Sequence, residues 1–418
     1  MAEGGFNKVF LLTMDDGSEV VARLPTPIAG PQHLTTASEV ATMDFLRSVL
    51  DIPVPRVLGY CATVDNPIGA EYILMERLRG DQLGARWLSL PTPQLADLMS
   101  QIVEIERKLF SFRFPAYGSL YYQHDTPEKS RVNISTDKGN FCVGPVCKRQ
   151  FWHDDRADLP LDRGPCIPLV PSKSEMQTPV LRHPDLSFPN IVLAPGSNKI
   201  LSIIDWQDAA ILPLFMQAGY PAFCEHELSQ VQTLQKPKLP DNYAEMNEFD
   251  KLQADAKFQL EKANFFYTVA TGAQNSLHLL ALRQPGLGMR QYLISQAGYP
   301  WDADLVNFKA ALVGIVKIWD SISSEPCPVS FSPADEEKAL QDASEWRECA
   351  EILSTVQDSL GVDREGGTDP DNFEHACEMN QRWRLEMLKH AASHQRKICW
   401  QGWVFKGDQD NSLPPLLD

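Results

Sequence analysis

Residues 181–208, LRHPDLSFPNIVLAPGSNKILSIIDWQD, constrain the chain more than any other stretch. Ile191-Val192-Leu193-Ala194 and Ile200-Leu201-Ser202-Ile203-Ile204 are apolar runs on either side of Pro195-Gly196-Ser197-Asn198, a cluster of turn formers, so the middle is expected to form a β-hairpin. In an antiparallel hairpin the residue before the first strand and the residue after the second lie at the same end. Asn190 and Asp205 therefore become neighbours. Asp185 joins them from the preceding loop. One carboxylate outside the hairpin, with a carboxylate and an amide oxygen clamped together, suits Mg²⁺ binding and the orientation of a hydroxyl in phosphoryl transfer.

At 418 residues the chain is long enough for two or three domains, or for two lobes sharing a cleft. Its 38 basic and 55 acidic residues give a net charge of −17, which argues against general nucleic-acid binding because no basic excess is available to neutralise phosphates. A local basic pocket for one nucleotide stays compatible with that charge. No apolar run approaches the length of a membrane-spanning helix. The first residues read neither as a signal peptide nor as an Arg/Ser-rich transit peptide, so a soluble intracellular chain is expected, with its compartment left open. Nine scattered cysteines without a C-x-x-C pair read as buried free thiols rather than zinc ligands.

The spacing His183-x-Asp185-x4-Asn190, followed by an apolar strand ending in Ile204-Asp205-Trp206, resembles the catalytic and metal-binding loops of the aminoglycoside phosphotransferase family, relatives of the protein kinases. The strings GGFNKVFLLTMDDG, GNFCVGPVCKRQFW, LRHPDLSFPNI and IIDWQDA are similar to a fungal branch of phosphotransferase-family proteins that includes the altered-inheritance-of-mitochondria-9 type. The resemblance runs from Glu3 to about Trp403. It implies an α+β, bilobal, protein kinase-like fold. A small antiparallel-sheet N-terminal lobe would span 1–79 and a larger, mainly helical lobe 80–418.

The segment from Gly4-Gly5 through Val9–Leu12, Asp15-Asp16-Gly17 and Glu19–Arg23 reads as a hairpin with a glycine turn at its entrance. By the resemblance, Gly4 and Gly5 lie over a triphosphate, where glycines let backbone N–H groups approach the oxygens; an ordinary turn is the alternative. Arg23 then occupies the place of the phosphate-contacting cation in the kinase pattern V-A-x-K. Only Met1-Ala2-Glu3 precede the glycine pair, so the first strand of such a lobe is expected to be missing. Val40, Met43, Leu46 and Leu50 recur at helical spacing after Thr35. The resemblance makes Glu39, placed in the first turn of that helix, the ion-pair partner of Arg23; a solvated first-turn carboxylate is the other reading. Likewise by resemblance, Met75, Glu76 and Leu78 belong to the hinge that receives adenine, with a plain edge strand as the alternative.

Pro93 to Leu109 is expected to be an amphipathic helix. Residues 112–171 read as one long irregular loop whose Gly144–Trp152 part serves either as substrate wall or as packing. Helices are expected from Phe249 to Leu282, from Leu305 to Ile322, after the Ser332-Pro333 start signal and around Glu378 to Arg396, with an acidic linker at Asp363–Asp371. The apolar string after Asp208 departs from the antibiotic kinases, so antibiotic specificity is not implied. Together these readings describe an ATP-dependent phosphotransferase acting on the hydroxyl of a small molecule with Mg²⁺. Asp185 would be catalytic, Asn190 and Asp205 metal ligands, Arg23 the phosphate cation steadied by Glu39, His183 a brace of the loop, and Asp208 a cap or supporting group. A kinase-like protein that binds nucleotide, or acts as a scaffold, without turnover is the competing reading.

Overall fold

The computed structural model describes residues 2–3, 6–152, 156–164, 175–225, 234–297, 305–362, 368 and 372–390. The chain divides into two compact units, Lys8–Gln291 and a second made of Ala2–Asn7 with Tyr292–Asp418. Ala2–Glu3 are extended as a two-residue strand, β1, ahead of the glycine pair, where the sequence reading expected no strand. Gly4 and Gly5 themselves lie outside the described residues.

The first unit opens on strands β2 (Asn7–Thr13) and β3 (Glu19–Pro25), followed by helix α1 (Leu34–Ser48) and strands β4 (Val57–Cys61) and β5 (Tyr72–Glu76). Their order in the sheet is β2-β3-β5-β4. Both β3 and β4 run antiparallel to β5, with Arg23 opposite Ile73 and Val21 opposite Met75. Val40, Met43, Phe45 and Leu46 of α1 are almost fully buried in the main core, so the helical spacing read from the sequence identifies its inner face. The helix begins at Leu34, which puts Glu39 in its second turn rather than its first.

A short strand β6 (Asp81–Gln82) and helix α2 (Leu83–Arg86) lead to α3 (Thr92–Ser111), which carries a buried stripe of Leu95, Leu98, Met99, Ile102 and Val103 and packs against the later helix Glu248–Gln274. The stretch expected to be one irregular loop holds a three-stranded antiparallel sheet, β7 (Ser119–Tyr122), β8 (Val132–Asn133) and β9 (Phe141–Gly144), in the order β7-β9-β8. These strands escape a reading of periodicity because they are two to four residues long and β9 is buried along its whole length. Next come β10 (Pro179–Leu181), the hairpin β11 (Ile191–Leu193) and β12 (Ile200–Ile203), β13 (Ile211–Pro213) and the short helix α4 (Leu214–Gln217). The single helix expected over Phe249–Leu282 is two, α5 (Glu248–Gln274) and α6 (Ser276–Leu282). Asn275 leaves helical geometry between them, and its side chain caps α6 by accepting from His278 N at 3.3 Å.

Helix α7 (Leu287–Gln296) spans the division between the units. In the second unit α8 (Val306–Ile322) packs on α9 (Pro333–Leu360), and α10 (Phe373–His390) packs on α9 around Val356 and Leu360. The start signal at Ser332 works as read: its hydroxyl accepts from Asp335 N at 3.2 Å, with Pro333 at the first helical position. The acidic linker and the end of the last helix fall mostly or wholly outside the described residues. Among the described cysteines, Cys142, Cys147 and Cys224 are buried, Cys61 and Cys327 are partly exposed and Cys377 is exposed. No described helix is long and apolar enough to cross a membrane.

Candidate active site

Two strand pairings bring the candidate residues together. Strand β10 pairs with β13, and β11 with β12, each antiparallel. The loop 182–190 runs from β10 to β11 and the loop 204–210 from β12 to β13, so both loops leave the same pair of ladders and must lie side by side. The hairpin register sets Ile191 opposite Ile203. Beyond that pair, Ile204 N donates to Asn190 O at 3.0 Å, so Asn190 and the residue next to Asp205 are joined directly. The turn between the strands closes through Ala194 N to Lys199 O at 2.9 Å, with Gly196 in the left-handed region at φ 66°.

The loop 182–190 is braced from inside. His183 is buried, with its ring edge-on to Trp206 at 4.5 Å. Asp185 N donates to His183 Nδ1 at 3.1 Å, which leaves the proton on Nε2 to be donated to Ile204 O at 2.9 Å. Burial holds the imidazole below its ordinary range, so it is a neutral bridge between the two loops. Its predecessor Arg182 is also anchored, donating to Glu106 at 2.9 Å and to the carbonyls of Gln217 and Gly219 at 3.0 and 2.8 Å. Glu106, on α3, accepts in addition from the Tyr267 hydroxyl.

Asp185 is exposed, whereas Asn190 is buried. Asn190 Nδ2 donates to Asp185 O at 2.9 Å and to Asp185 Oδ2 at 3.3 Å, while the Ser187 hydroxyl donates to the same Oδ2 at 3.1 Å. The amide nitrogen is thus committed to Asp185. The amide oxygen has no hydrogen-bond donor among the described residues.

Arg23 ties β3 to the second loop. Only 8% exposed, its guanidinium would be costly to bury alone, and it is matched by three acceptors. It donates to Glu39 Oε1, to Asp205 Oδ1 at 2.9 Å and to Gln207 Oε1 at 2.5 Å. Gln207 in turn donates to Ala29 O at 2.8 Å. Burial pushes the Glu39 carboxyl up to about 7, with Arg23 opposing the rise. Asp205 itself is about half exposed, and its second oxygen has no partner among the described residues. Asp205 and Asp208 both adopt left-handed backbone, at φ 63° and 61°, bending the chain sharply twice.

Asp208 sits in the same cluster as more than a cap. Its Oδ1 is buried without a hydrogen-bond partner, and burial pushes the carboxyl up to about 6 against the pull of Lys148. Lys148, which follows β9, is in turn lowered by burial, with Asp208 opposing. Gln207 and Lys148 were not singled out from the sequence. The available signal was electrostatic: an arginine expected inside a lobe needs more than one acceptor, and Gln207 stands two residues from Asp205. Trp152 is engaged in packing, donating from Nε1 to Val146 O at 2.8 Å beneath Arg163.

The hinge candidates continue the strand that pairs with Arg23, Met75 standing two residues along β5 from Ile73. Met75 is in the middle of the sheet, opposite Val57 on one side and Val21 on the other. Glu76 accepts from Arg56 N at 2.8 Å and from Arg47 at 3.3 Å. Glu76 and Leu78 line an open groove of about 770 Å³ together with Arg47, Asp51, Pro53 and Leu201, but Asp185, Asn190 and Asp205 do not reach it. Direct contacts therefore unite Arg23, Glu39 and Asp205 in one group and Asp185 with Asn190 in another, joined through the hairpin end. Among the described residues, no three His, Cys, Asp or Glu side chains form a metal cluster.

Residues 2–219 match the model of the phosphotransferase enzyme family. A subtelomeric hrmA-associated cluster protein of Aspergillus fumigatus is 47% identical, the alignment covering 99% of this chain and 97% of that protein. The altered inheritance of mitochondria protein 9 of Zygosaccharomyces rouxii is 22% identical over 83% of this chain and 69% of its own length. Among solved structures, an aminoglycoside phosphotransferase in complex with GDP and kanamycin is 14% identical, with a TM-score of 0.35, covering 77% of this chain and 91% of that one. A second, in a ternary complex with AMP-PNP and hygromycin B, is 12% identical, with a TM-score of 0.34, over 78% and 93%. An antiparallel sheet followed by a mainly helical remainder, with the two loops set side by side by their ladders, is an α+β architecture, and the chain belongs to the phosphotransferase enzyme family.

Proposed function

We propose that the chain transfers the γ-phosphoryl group of ATP or GTP to a hydroxyl of a small molecule. The observation that carries this reading is the convergence of Arg23, Glu39 and Asp205 from three separate elements onto one ion cluster beside the Asp185–Asn190 loop. Asp185, exposed and held by Ser187 and Asn190, is the group placed to orient the acceptor hydroxyl and take its proton. Arg23 offers a fixed cation to phosphate oxygens. The oxygens left free on Asn190 and Asp205 are hard donors of the kind Mg²⁺ prefers, so these two residues would hold the ion. When bound, Mg²⁺ neutralises charge on the phosphate oxygens. Gly4-Gly5 over the phosphates and Met75, Glu76 and Leu78 against adenine remain part of the proposal. Lys148 and Asp208 form a second, mostly buried charge pair within electrostatic reach of Asp205 and Arg23.

A second reading, a chain that holds nucleotide without transfer, is favoured by one contact. Arg23, the proposed phosphate cation, is already engaged with Asp205, the proposed metal ligand. Thermal shift with ATP and GTP, each with and without Mg²⁺, followed by γ-phosphate transfer to a panel of hydroxylated metabolites, separates the two. Mg²⁺-dependent stabilisation with transfer is the expected result. Stabilisation without transfer to any acceptor supports the second reading, and no response to either nucleotide overturns both.

A further inference from the structure

Helix α1 carries Glu39 on its path to Arg23, and the sheet β7-β9-β8 packs against that helix. Tyr122, at the end of β7, donates its hydroxyl to Asp44 Oδ2 at 2.7 Å. The next residue, Phe45, is fully buried and meets Phe141 of β9 edge-on at 5.2 Å, with Phe112 at 5.0 Å and Phe114 at 5.6 Å completing an aromatic cage. The Tyr122 ring stacks on Phe141 at 5.4 Å, so the hydrogen bond and the cage form one assembly. At the start of the helix, the His33 ring lies 3.0 Å from the carbonyl of Asp125, in the loop that follows β7.

The same sheet grips the other side of the ion cluster. Gly118, immediately before β7, exchanges two backbone hydrogen bonds with Ile211, at 3.1 and 2.7 Å, and Ser119 donates to Ala209 O at 3.3 Å. Ala209 to Ile211 directly follow Asp208. Position 118 accepts only glycine, because a Cβ there would stand 2.2 Å from Gly144 O of β9 on a backbone at φ 154°. One small sheet therefore fixes the helix that supplies Glu39 and also the segment that continues from Asp205 and Asp208.

We propose that Tyr122 and Phe141 are positioning residues: through Asp44 and Phe45 their sheet clamps α1 to the Ala209–Ile211 segment and so sets the Glu39–Arg23–Asp205 pairing that receives a nucleotide's phosphates. The clamp rests on the nucleotide reading above for its role, but its mechanics are independent of it. A contact that acts only through Glu39 must lose its influence on the nucleotide once Glu39 no longer carries charge.

The test uses the full chain with Tyr122→Phe and Phe141→Leu, each alone and combined with Glu39→Gln. Hydrogen exchange of 34–48 is compared with that of α3, and affinity is measured for Mg–ATP. Exchange in α1 is expected to accelerate about tenfold more than in α3, the scale of a lost buried hydrogen bond to a charged group. Affinity should fall several-fold in the single variants, with no further fall when Glu39→Gln is present. Unchanged α1 protection overturns the clamp, as does an affinity loss that persists undiminished beside Glu39→Gln. If the unmodified chain binds neither Mg–ATP nor Mg–GTP, the proposed function fails, and the clamp is decided by α1 exchange alone: faster exchange upholds it and unchanged exchange overturns it.

Discussion

Arg23 donates to Asp205 at 2.9 Å across 182 positions of sequence, while the same guanidinium holds the buried carboxylate of Glu39. Strand, helix and loop are thereby locked by one side chain. Arg23 is the single hydrogen-bond donor to Glu39 among the described residues, so Arg23→Ala strands a buried acid. We expect it to cost about 3–5 kcal/mol in urea unfolding. Glu39→Gln removes the ion pair without stranding a charge, because Arg23 keeps Asp205 and Gln207, so that variant should lose much less.

Asp205 is half exposed, and its loss leaves Arg23 with two other acceptors. Asp205→Asn, which also suits the left-handed backbone there, should therefore keep the fold, seen as a melting temperature within a few degrees of the parent. The proposed Mg²⁺-dependent transfer should fall roughly a hundred- to a thousandfold, the scale for losing one preorganised electrostatic group. Parent-like transfer would remove Asp205 from the metal site. Asp185→Asn should retain nucleotide binding with little transfer, read from binding and from formation of ADP and phosphorylated acceptor on the same samples.

Asp208 gives a pH signature. Its carboxyl rises from 3.8 to about 6 on burial, so the folded state binds its proton more tightly than the unfolded chain does. The sign follows: the contribution is fully favourable below pH 4 and is lost as pH rises through 6. Asp208→Asn should therefore stabilise at pH 7.5 by about 1–3 kcal/mol, because a tenfold change in proton affinity is worth roughly 1.4 kcal/mol. The gain over the parent should shrink toward zero near pH 4, in melting curves taken across that range. Glu39 titrates in the same direction, rising to about 7, and the charge on Asp208 contributes to that rise, so Asp208→Asn also relieves Glu39 and adds to the gain at neutral pH.

Behind the loop, Glu106 is 2% exposed and holds both Arg182 and Tyr267. Glu106→Ala leaves a buried guanidinium with carbonyl partners alone and is expected to cost about 3–5 kcal/mol. Tyr267→Phe removes one hydrogen bond to a charged acceptor and should cost about 1.5–3 kcal/mol. Because Arg182 adjoins His183, we expect the proposed transfer rate to fall in both, in the order of their unfolding midpoints.

The hairpin was legible because local rules specify it: turn formers between two apolar runs fix the register, and the register makes Asn190 and Asp205 neighbours. Helix α1 and the start of α9 were legible for the same reason, through periodicity and capping. The pairing of Arg23 with Glu39 needed the family resemblance, since nothing local to either residue specifies a partner on another element. The sheet β7-β9-β8 was missed because strands this short carry no period, and the break at Asn275 because one residue interrupts an otherwise continuous helical pattern. Gln207 and Lys148 were missed because their roles arise from what the fold buries beside them.

The left-handed bends at Asp205 and Asp208 bear on how such a chain can decay. Few side chains tolerate that backbone; asparagine and glycine are the inexpensive replacements for aspartate there. Both would erase a negative charge while leaving the bend intact. Drift at these two sites is therefore channelled toward inert but well-folded descendants, in which the outline of a transferase outlives its chemistry.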